Sequence, residues 1–476
     1  MPALMSADLS PDHFAAAELL LAPAQLMLRD GPVAGHAVVI ADGKFRDVGP
    51  RAALQSRHPG LTPLALPGKL LMPGFVDAHH HLTQTFGKAL AFGEPSEIFR
   101  RIWVPLEGVL DDELVYLTAK AAALESLRGG FTTVVDAGTR AEGNVSAIAR
   151  AAREAGLRCV LGFICNDLGA GGAVADRDAI LERAEGHLGR WRDDGLVHPS
   201  LAISIPEAAT AAMLREVSAL AARSGAVFQS HVNEHLAAVE RSLMQVHRRP
   251  LEYLYDLGAL GPHVLIAHST LVTPTELAML KETDTAVAYN PVASQWKGNA
   301  VAPATLMATL GIRFGIGTDG TRSDGFRLVD AAEATQRIAF GLANGDFSCG
   351  GGWIWLEHAT TAGAEVSGLG GITGEIAPGL AADCLLVDID VPEFSPSWDL
   401  TWELVRLGNR DQIVAVFVAG RLRLWQGWPV GWDGRALMHE IAKRARDAVG
   451  RAPIQRIHPV SSQHRAAAAG RQPRKP

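Results

Sequence analysis

Cysteine is scarce: four residues in a chain of 476, at positions 159, 165, 349 and 384. None belongs to a CxxC pair, and all stand in apolar or glycine-rich surroundings. That excludes a disulfide framework and a thiolate metal site, and points to buried free thiols in a reducing cytoplasm. An excess of positive charge is missing as well. The 44 Lys and Arg face 51 Asp and Glu, leaving a formal net charge of −7, so there is no basic field for nucleic acid. No apolar run reaches the ~18 residues that a membrane span needs. The apolar stretch 16–28 is short, follows Asp8, Asp12 and His13, and lacks a basic start. It reads as a strand rather than a signal peptide. With 48% hydrophobic and only 20% charged residues, the chain can bury a large core.

What the chain has is polar residues at the ends of apolar runs. Residues 70–76, Leu-Leu-Met-Pro-Gly-Phe-Val, read as a buried strand leading into Asp77-Ala78-His79-His80-His81. Alternate strand residues share a face, so His79 and His81 point together and His80 points away. Two such imidazoles can hold one divalent metal, although a lone His-x-His pair is weak evidence. Three more runs end in the same chemistry. Residues 226–231 end in His231 with Glu234 three positions on, 264–268 end in His268, and 312–319 end in Asp319. In a parallel (β/α)8 barrel all strand C-termini converge on one face, where active sites lie. Helical patterns between the runs, such as 113–127 before 131–136, supply the βα units.

As an ordered set, these segments resemble the amidohydrolase superfamily, in the branch of cytosine, guanine, 8-oxoguanine and S-adenosylhomocysteine deaminases and triazine hydrolases. The likeness rests on PGFVDAHHHL (73–82), HVNE (231–234), AHST (267–270) and GTDG (317–320), with GITGEIAPGLAAD (371–383) and VFVAGR (416–421) behind them. It implies an α/β fold: a TIM-type (β/α)8 barrel over 73–375 and a small β-sandwich domain made from 1–72 and 376–450. The hairpin chemistry of both chain ends agrees with that. A terminal amphipathic helix is expected near 433–449. From 451 to 476 the chain carries six Arg and Lys and no acid, which reads as a disordered, solvated basic tail.

His79, His81, His231 and Asp319 make a shell of three imidazoles and one carboxylate. That suits zinc, with iron also possible on residue identity. With one position open, such an ion lowers the pKa of a bound water towards ~7. Binuclear relatives carry a bridging carboxylated lysine or a glutamate on the fourth strand. The region 200–207 has no lysine, and Glu207 is its only candidate, so one metal is expected. The resemblance implies that Glu234 shuttles protons to a ring nitrogen and that His268 polarises the substrate. Asp319 then doubles as ligand and proton acceptor. It also implies that Gln84 contacts a heterocycle edge, for which a carboxamide offers both donor and acceptor. The long segment 86–103 offers Phe86, Phe92, Phe99 or Trp103 as a wall for a flat ring.

The chain departs from the family in three places. Residues 290–295, Asn-Pro-Val-Ala-Ser-Gln, replace the more usual Asn-Pro-x-Ser-Asn. Pro206-Glu207 stands where a Pro-His pair is usual, which argues for a free base or small heterocycle over a nucleoside. After Asp319, Arg322 and Asp324 either read the substrate or pair with each other at the rim. The leading expectation is hydrolytic deamination of an aminated N-heterocycle (purine, pterin, pyrimidine or triazine), releasing ammonia. A second is hydrolysis of a cyclic amide, alkylamino or halo substituent on a similar ring. A third, a barrel acting only as an interaction protein, conflicts with the complete ligand set. The expected partner is a small heterocyclic substrate, with neither nucleic acid nor membrane, in a chain that family habit makes a possible homo-oligomer.

Overall fold

Eight short apolar runs become parallel strands: β1 (Phe75–His80), β2 (Phe131–Asp136), β3 (Arg158–Ile164), β4 (Val197–Ile203), β5 (Phe228–Val232), β6 (Val264–His268), β7 (Ala286–Tyr289) and β8 (Phe314–Ile316). They pair in sequence order. Beyond β8, the Asp319 N–H donates to the His79 carbonyl (2.8 Å) and the Thr318 N–H to the Asp77 carboxylate (2.8 Å), drawing the last strand against the first. Every residue of β1 and β2 is buried, because both faces of a parallel sheet are covered. Val76, Ala78, Val135, Val160, Leu265 and Ala288 fill the interior, together with Val366 and Leu369. Leu114, Leu127, Ile148, Leu188 and Leu214 pack the helices outside.

The structure is a computed structural model that describes residues 9–94, 97–141, 145–169, 172–342, 345, 351–459, 461, 463 and 465. Cys159, Cys165 and Cys384 are buried and free; Cys349 lies outside the described residues. Among the described residues no helix is long and apolar enough to cross a membrane.

Both chain ends meet in one mixed nine-stranded sheet. Its central strand, Pro63–Pro73, pairs in parallel with Glu18–Leu28 and antiparallel with Cys384–Asp388. Leu21, Phe45, Leu71, Leu386 and Phe417 cover one face, and Leu20, Ala37, Val39 and Leu54 form a separate cluster. A single residue, Gly74, separates this central strand from β1. A methyl group there would lie 2.2 Å from Thr132, so the join requires glycine.

The terminal helix runs Gly434–Arg451, capped by the Asp433 side chain, and packs Leu437 and Ile441 on Leu117. The disorder expected from 451 does not extend to its first residues, since 452–458 cross back over the loop after β1. Ile454 packs on the cluster holding Ile102 and Trp103. The buried Glu94 carboxylate accepts from the Ile457 and His458 backbone N–H groups (2.9 and 3.1 Å) and pairs with Arg101 (2.8 Å) and Arg456 (3.2 Å). Composition misses this strap because its anchor is one acid more than 350 positions upstream.

Burial alone would raise the Glu94 carboxyl, but those donors outweigh it and hold it at about 2, against an ordinary 4.5. Its folded value is therefore the lower one. The contribution to docking is full above 4.5 and is lost as pH falls towards about 2. Glu94→Gln should release the strap at neutral pH. Amide exchange at Ile457 and His458, corrected for intrinsic rates, should then reach that of an open chain. Retained protection in the variant would mean that Ile454 holds the strap without Glu94.

Candidate active site

The strand ends bring the expected ligands together. Ligand atoms of His79, His81, His231 and Asp319 all lie within 4.8 Å of one another. His79 Nε2 is 3.4 Å and His81 Nε2 3.2 Å from Asp319 Oδ1, and the Nε2 atoms of His81 and His231 are 3.2 Å apart. Ligands held ~2.0–2.1 Å from a tetrahedral ion stand about 3.3 Å from each other. The spacing therefore fits a single divalent cation at their centre. His79 Nε2 is buried without a hydrogen-bond partner, as a ligand atom facing a metal position would be. His231 Nδ1 lies 2.6 Å from the Ser204 carbonyl. A carbonyl only accepts, so Nδ1 carries the proton and Nε2 turns its lone pair inward.

Backbone geometry at these strand ends is unusual. Asn233, His268 and Asp319 have φ of 52°, 77° and 56°, left-handed values that cost non-glycine residues ~1–3 kcal/mol each and cluster at functional sites. The pairing register slips between Asp77 and His80, which lets His79 and His81 converge. A Cβ on Gly317 would come within 2.3 Å of Asn290 Oδ1 and 2.8 Å of the His79 nitrogen. Only glycine lets this segment pass so close to a ligand.

Glu234, His268 and Asp319 form a second group with ligand atoms within 4.8 Å. His268 Nε2 is 3.8 Å from Glu234 Oε2. Asn290 Nδ2 donates to His268 Nδ1 (3.2 Å), so the ring proton of neutral His268 sits on Nε2, a donor with no partner. Burial lowers the His268 pKa to about 4, so the ring is neutral near pH 7. His80 turns away from the ligands, towards Asp77 (3.0 Å), Thr318 (2.9 Å) and Thr85 (3.3 Å).

One residue in the centre is absent from the sequence expectations. Lys297 ends the short helix Pro291–Lys297 after β7. Its Nζ lies 2.6 Å from Asp319 Oδ2 and 2.8 Å from Glu234 Oε1. Burial opposes a charge on Lys297, but the two carboxylates outweigh it and raise its pKa. Burial likewise opposes ionisation of Glu234, but the Lys297 ammonium outweighs it and holds the carboxyl low. The signal was in the sequence: Lys297 lies two positions beyond the departure at 290–295. Its reach into the centre depends on a helix that no motif marks.

The cavity over the ligands is lined by Gln84, Phe99, Trp103, Arg140, Arg241 and Lys297, among others. Gln84 and Trp103, both named from the sequence, are among these lining residues. Gln84 leans on Glu107 (3.4 Å). Phe99 carries Arg140 over its ring at 4.3 Å, and Arg140 pairs with Glu107 at 2.7 Å. Phe92 is exposed and meets Trp296 edge to face instead, while Phe86 packs into the apolar cluster behind the loop. Glu207 pairs with Arg241 (3.2 Å) and stands outside the ligand groups.

Arg322 corrects the sequence reading, for it is exposed and does not line the cavity. Asp324 accepts from the Arg327 N–H at the start of a helix (3.2 Å). The physical reason is local. The turn after Asp319 is committed to starting that helix, which directs position 322 outward.

A model of the amidohydrolase family matches residues 70–423. The chain belongs to the amidohydrolase family. A shorter match, to an imidazolonepropionase-like composite domain of bacteria, covers residues 37–60. The 5-methylthioadenosine/S-adenosylhomocysteine deaminase of Syntrophobacter fumaroxidans is 28% identical over 81% of this chain and 87% of its own. An adenosine deaminase from Xanthomonas campestris with bound zinc superposes with a TM-score of 0.82 at 26% identity, over 90% of this chain and 98% of that one. Atrazine chlorohydrolase from Arthrobacter aurescens, complexed with zinc, shares the fold (TM-score 0.78, 20% identity, 90% and 100% coverage). Amidohydrolases are metal-dependent, and among the described residues the four-residue cluster is a candidate site for an ion.

Proposed function

We propose that Glu234, His268 and Asp319 divide the catalytic work around one divalent ion, zinc by the donor set, in this hydrolytic deaminase of an aminated N-heterocycle. His79, His81, His231 and Asp319 would hold the ion. When bound, it supplies Lewis-acid activation of water and of developing negative charge on oxygen. The observation that carries the reading is the second carboxylate, Glu234, whose ligand atom lies within 4.8 Å of those of His268 and Asp319. Two carboxylates allow one to take the proton of the attacking water and the other to give a proton to the ring nitrogen. Asp319 accepts from water. Glu234, ionised beside Lys297, carries one of the water's protons to the ring nitrogen next to the attacked carbon, and the other, held by Asp319, goes to the departing amine. The Nε2–H of His268 meets the oxygen as charge builds on it, which is hydrogen-bonding stabilisation of an oxyanion. Glu234 favours a leaving group that needs a proton, so an amine over a halide. Phe99 and Trp103 cover the faces of a flat ring, and Gln84 contacts its edge.

The deciding experiment is ammonia release from a panel of amino-substituted purines, pterins, pyrimidines and triazines with zinc-loaded protein. At least one class is expected to give turnover that a chelator abolishes and zinc restores. Release of halide or of a ring-opened acid, without ammonia from any member, would overturn the reading in favour of the alternative hydrolases.

A further inference from the structure

Ile98 and Trp103 belong to two places at once. Both line the cavity over the ligand cluster, and both are members of the apolar cluster on which Val449 and Ile454 pack. The wall of the active site is thus backed by residues from the far end of the chain. Polar contacts fix the same join. The Gln455 N–H donates to the Arg101 carbonyl (2.9 Å), and Arg101 Nη1 donates to the Gln455 carbonyl (3.1 Å). Arg456 donates to the carbonyls of Leu90 and Phe92. Glu94 accepts from the Ile457 and His458 N–H groups. The strap therefore grips the loop after β1 at 90–94 and again at 101, on either side of Phe99 in the sequence.

A side chain on a loose loop must be ordered each time a ring binds, and that cost is taken from affinity. A wall ordered beforehand spares it. Glu97 pairs with Arg241 in the cavity lining, which holds the loop before Phe99. Beyond Phe99, Arg101 is held by Glu94 and by the strap. We propose that the strap 452–458 is a working part of the active site: it keeps Phe99 and Trp103 in place for the substrate ring, and Glu94 is the positioning residue that fastens it. The inference rests on the reading of Phe99 and Trp103 as ring walls. It concerns their ordering rather than the reaction, so it can be tested apart from turnover.

One position tests this without touching the cavity. The Ile457 side chain is 62% exposed, so what it gives the join is its N–H. Ile457→Pro deletes that donor, whereas Ile457→Ala keeps it. In the full-length, zinc-loaded protein, Ile457→Pro and Glu94→Gln should both free the His458 amide to exchange with solvent, and amide exchange over residues 97–106 should rise with it. With guanine, cytosine, pterin and melamine as probes, KM for any ring turned over should rise about 5- to 100-fold, the scale of re-ordering two side chains on binding. With rates normalised to bound zinc, kcat should change less than about threefold, the pattern of lost uniform binding. Ile457→Ala should match wild type in every respect. An opened strap with wild-type exchange over 97–106 and wild-type KM would overturn the proposal. So would a fall in kcat at unchanged KM, or equal effects of proline and alanine at 457, or a strap that stays protected in both Ile457→Pro and Glu94→Gln. Should none of the four rings be turned over, the deaminase reading fails for these compounds, and the exchange over 97–106 decides the inference by itself: a rise in Ile457→Pro but not in Ile457→Ala supports it, and no difference overturns it.

Discussion

Glu234→Gln should keep its metal and lose about 10²- to 10⁴-fold in kcat, the range that a positioned acid–base group contributes. The substitution is nearly isosteric. An amide oxygen can still accept from Lys297, so the pocket keeps its shape. The lost property is the ability to carry a proton from solvent-derived water to the ring nitrogen. Metal content and single-turnover ammonia release should be measured on the same sample. Wild-type turnover in Glu234→Gln would sink the proton-shuttle assignment. A fall in bound metal along with activity would instead place Glu234 in the ligand set, an outcome its proximity to Asp319 makes worth measuring.

His231→Ala should lose the ion. Supporting groups around a metal ligand already cost 10- to 100-fold in affinity when removed, and a direct ligand should cost at least about 100-fold by the same scale. His231 has no substitute nearby, since His268, the next imidazole, has its Nδ1 engaged by Asn290 and its Nε2 directed towards Glu234. His268→Ala is the control. It should retain metal and lose about 10²- to 10³-fold in kcat, as for removal of one oxyanion donor. Zinc content after dialysis against a buffered chelator separates the two. Equal occupancy in wild type and His231→Ala would remove His231 from the centre.

The barrel and the meeting of His79, His81, His231, Glu234, His268 and Asp319 at one place were legible because each lies within one residue or turn of a strand end, and strand ends of a parallel barrel share a face. His79, His231, His268 and Asp319 needed no knowledge of loops. Gln84 was singled out through the resemblance and Trp103 as a member of a long loop, and both line the cavity. Arg322 was misread because a short polar turn carries no record of which side chains its following helix turns outward. Lys297 was passed over because a lysine reaches its partners through four methylenes, so spacing says little about where the ammonium ends. The strap at 452–458 escaped for a related reason. It is held by backbone N–H groups on one distant carboxylate, and backbone donors leave no trace in composition.

The uninterrupted run from the chain-end sheet through Gly74 into His79 and His81 bears on how the enzyme is made. The strand before Gly74 is bracketed on one side by residues near the N-terminus and on the other by Cys384–Asp388. During synthesis that second flank leaves the ribosome long after Asp319 has emerged. The first two histidines should thus gain a rigid base only late in translation, and loading with the ion should be a property of the nearly finished polypeptide rather than of a growing barrel.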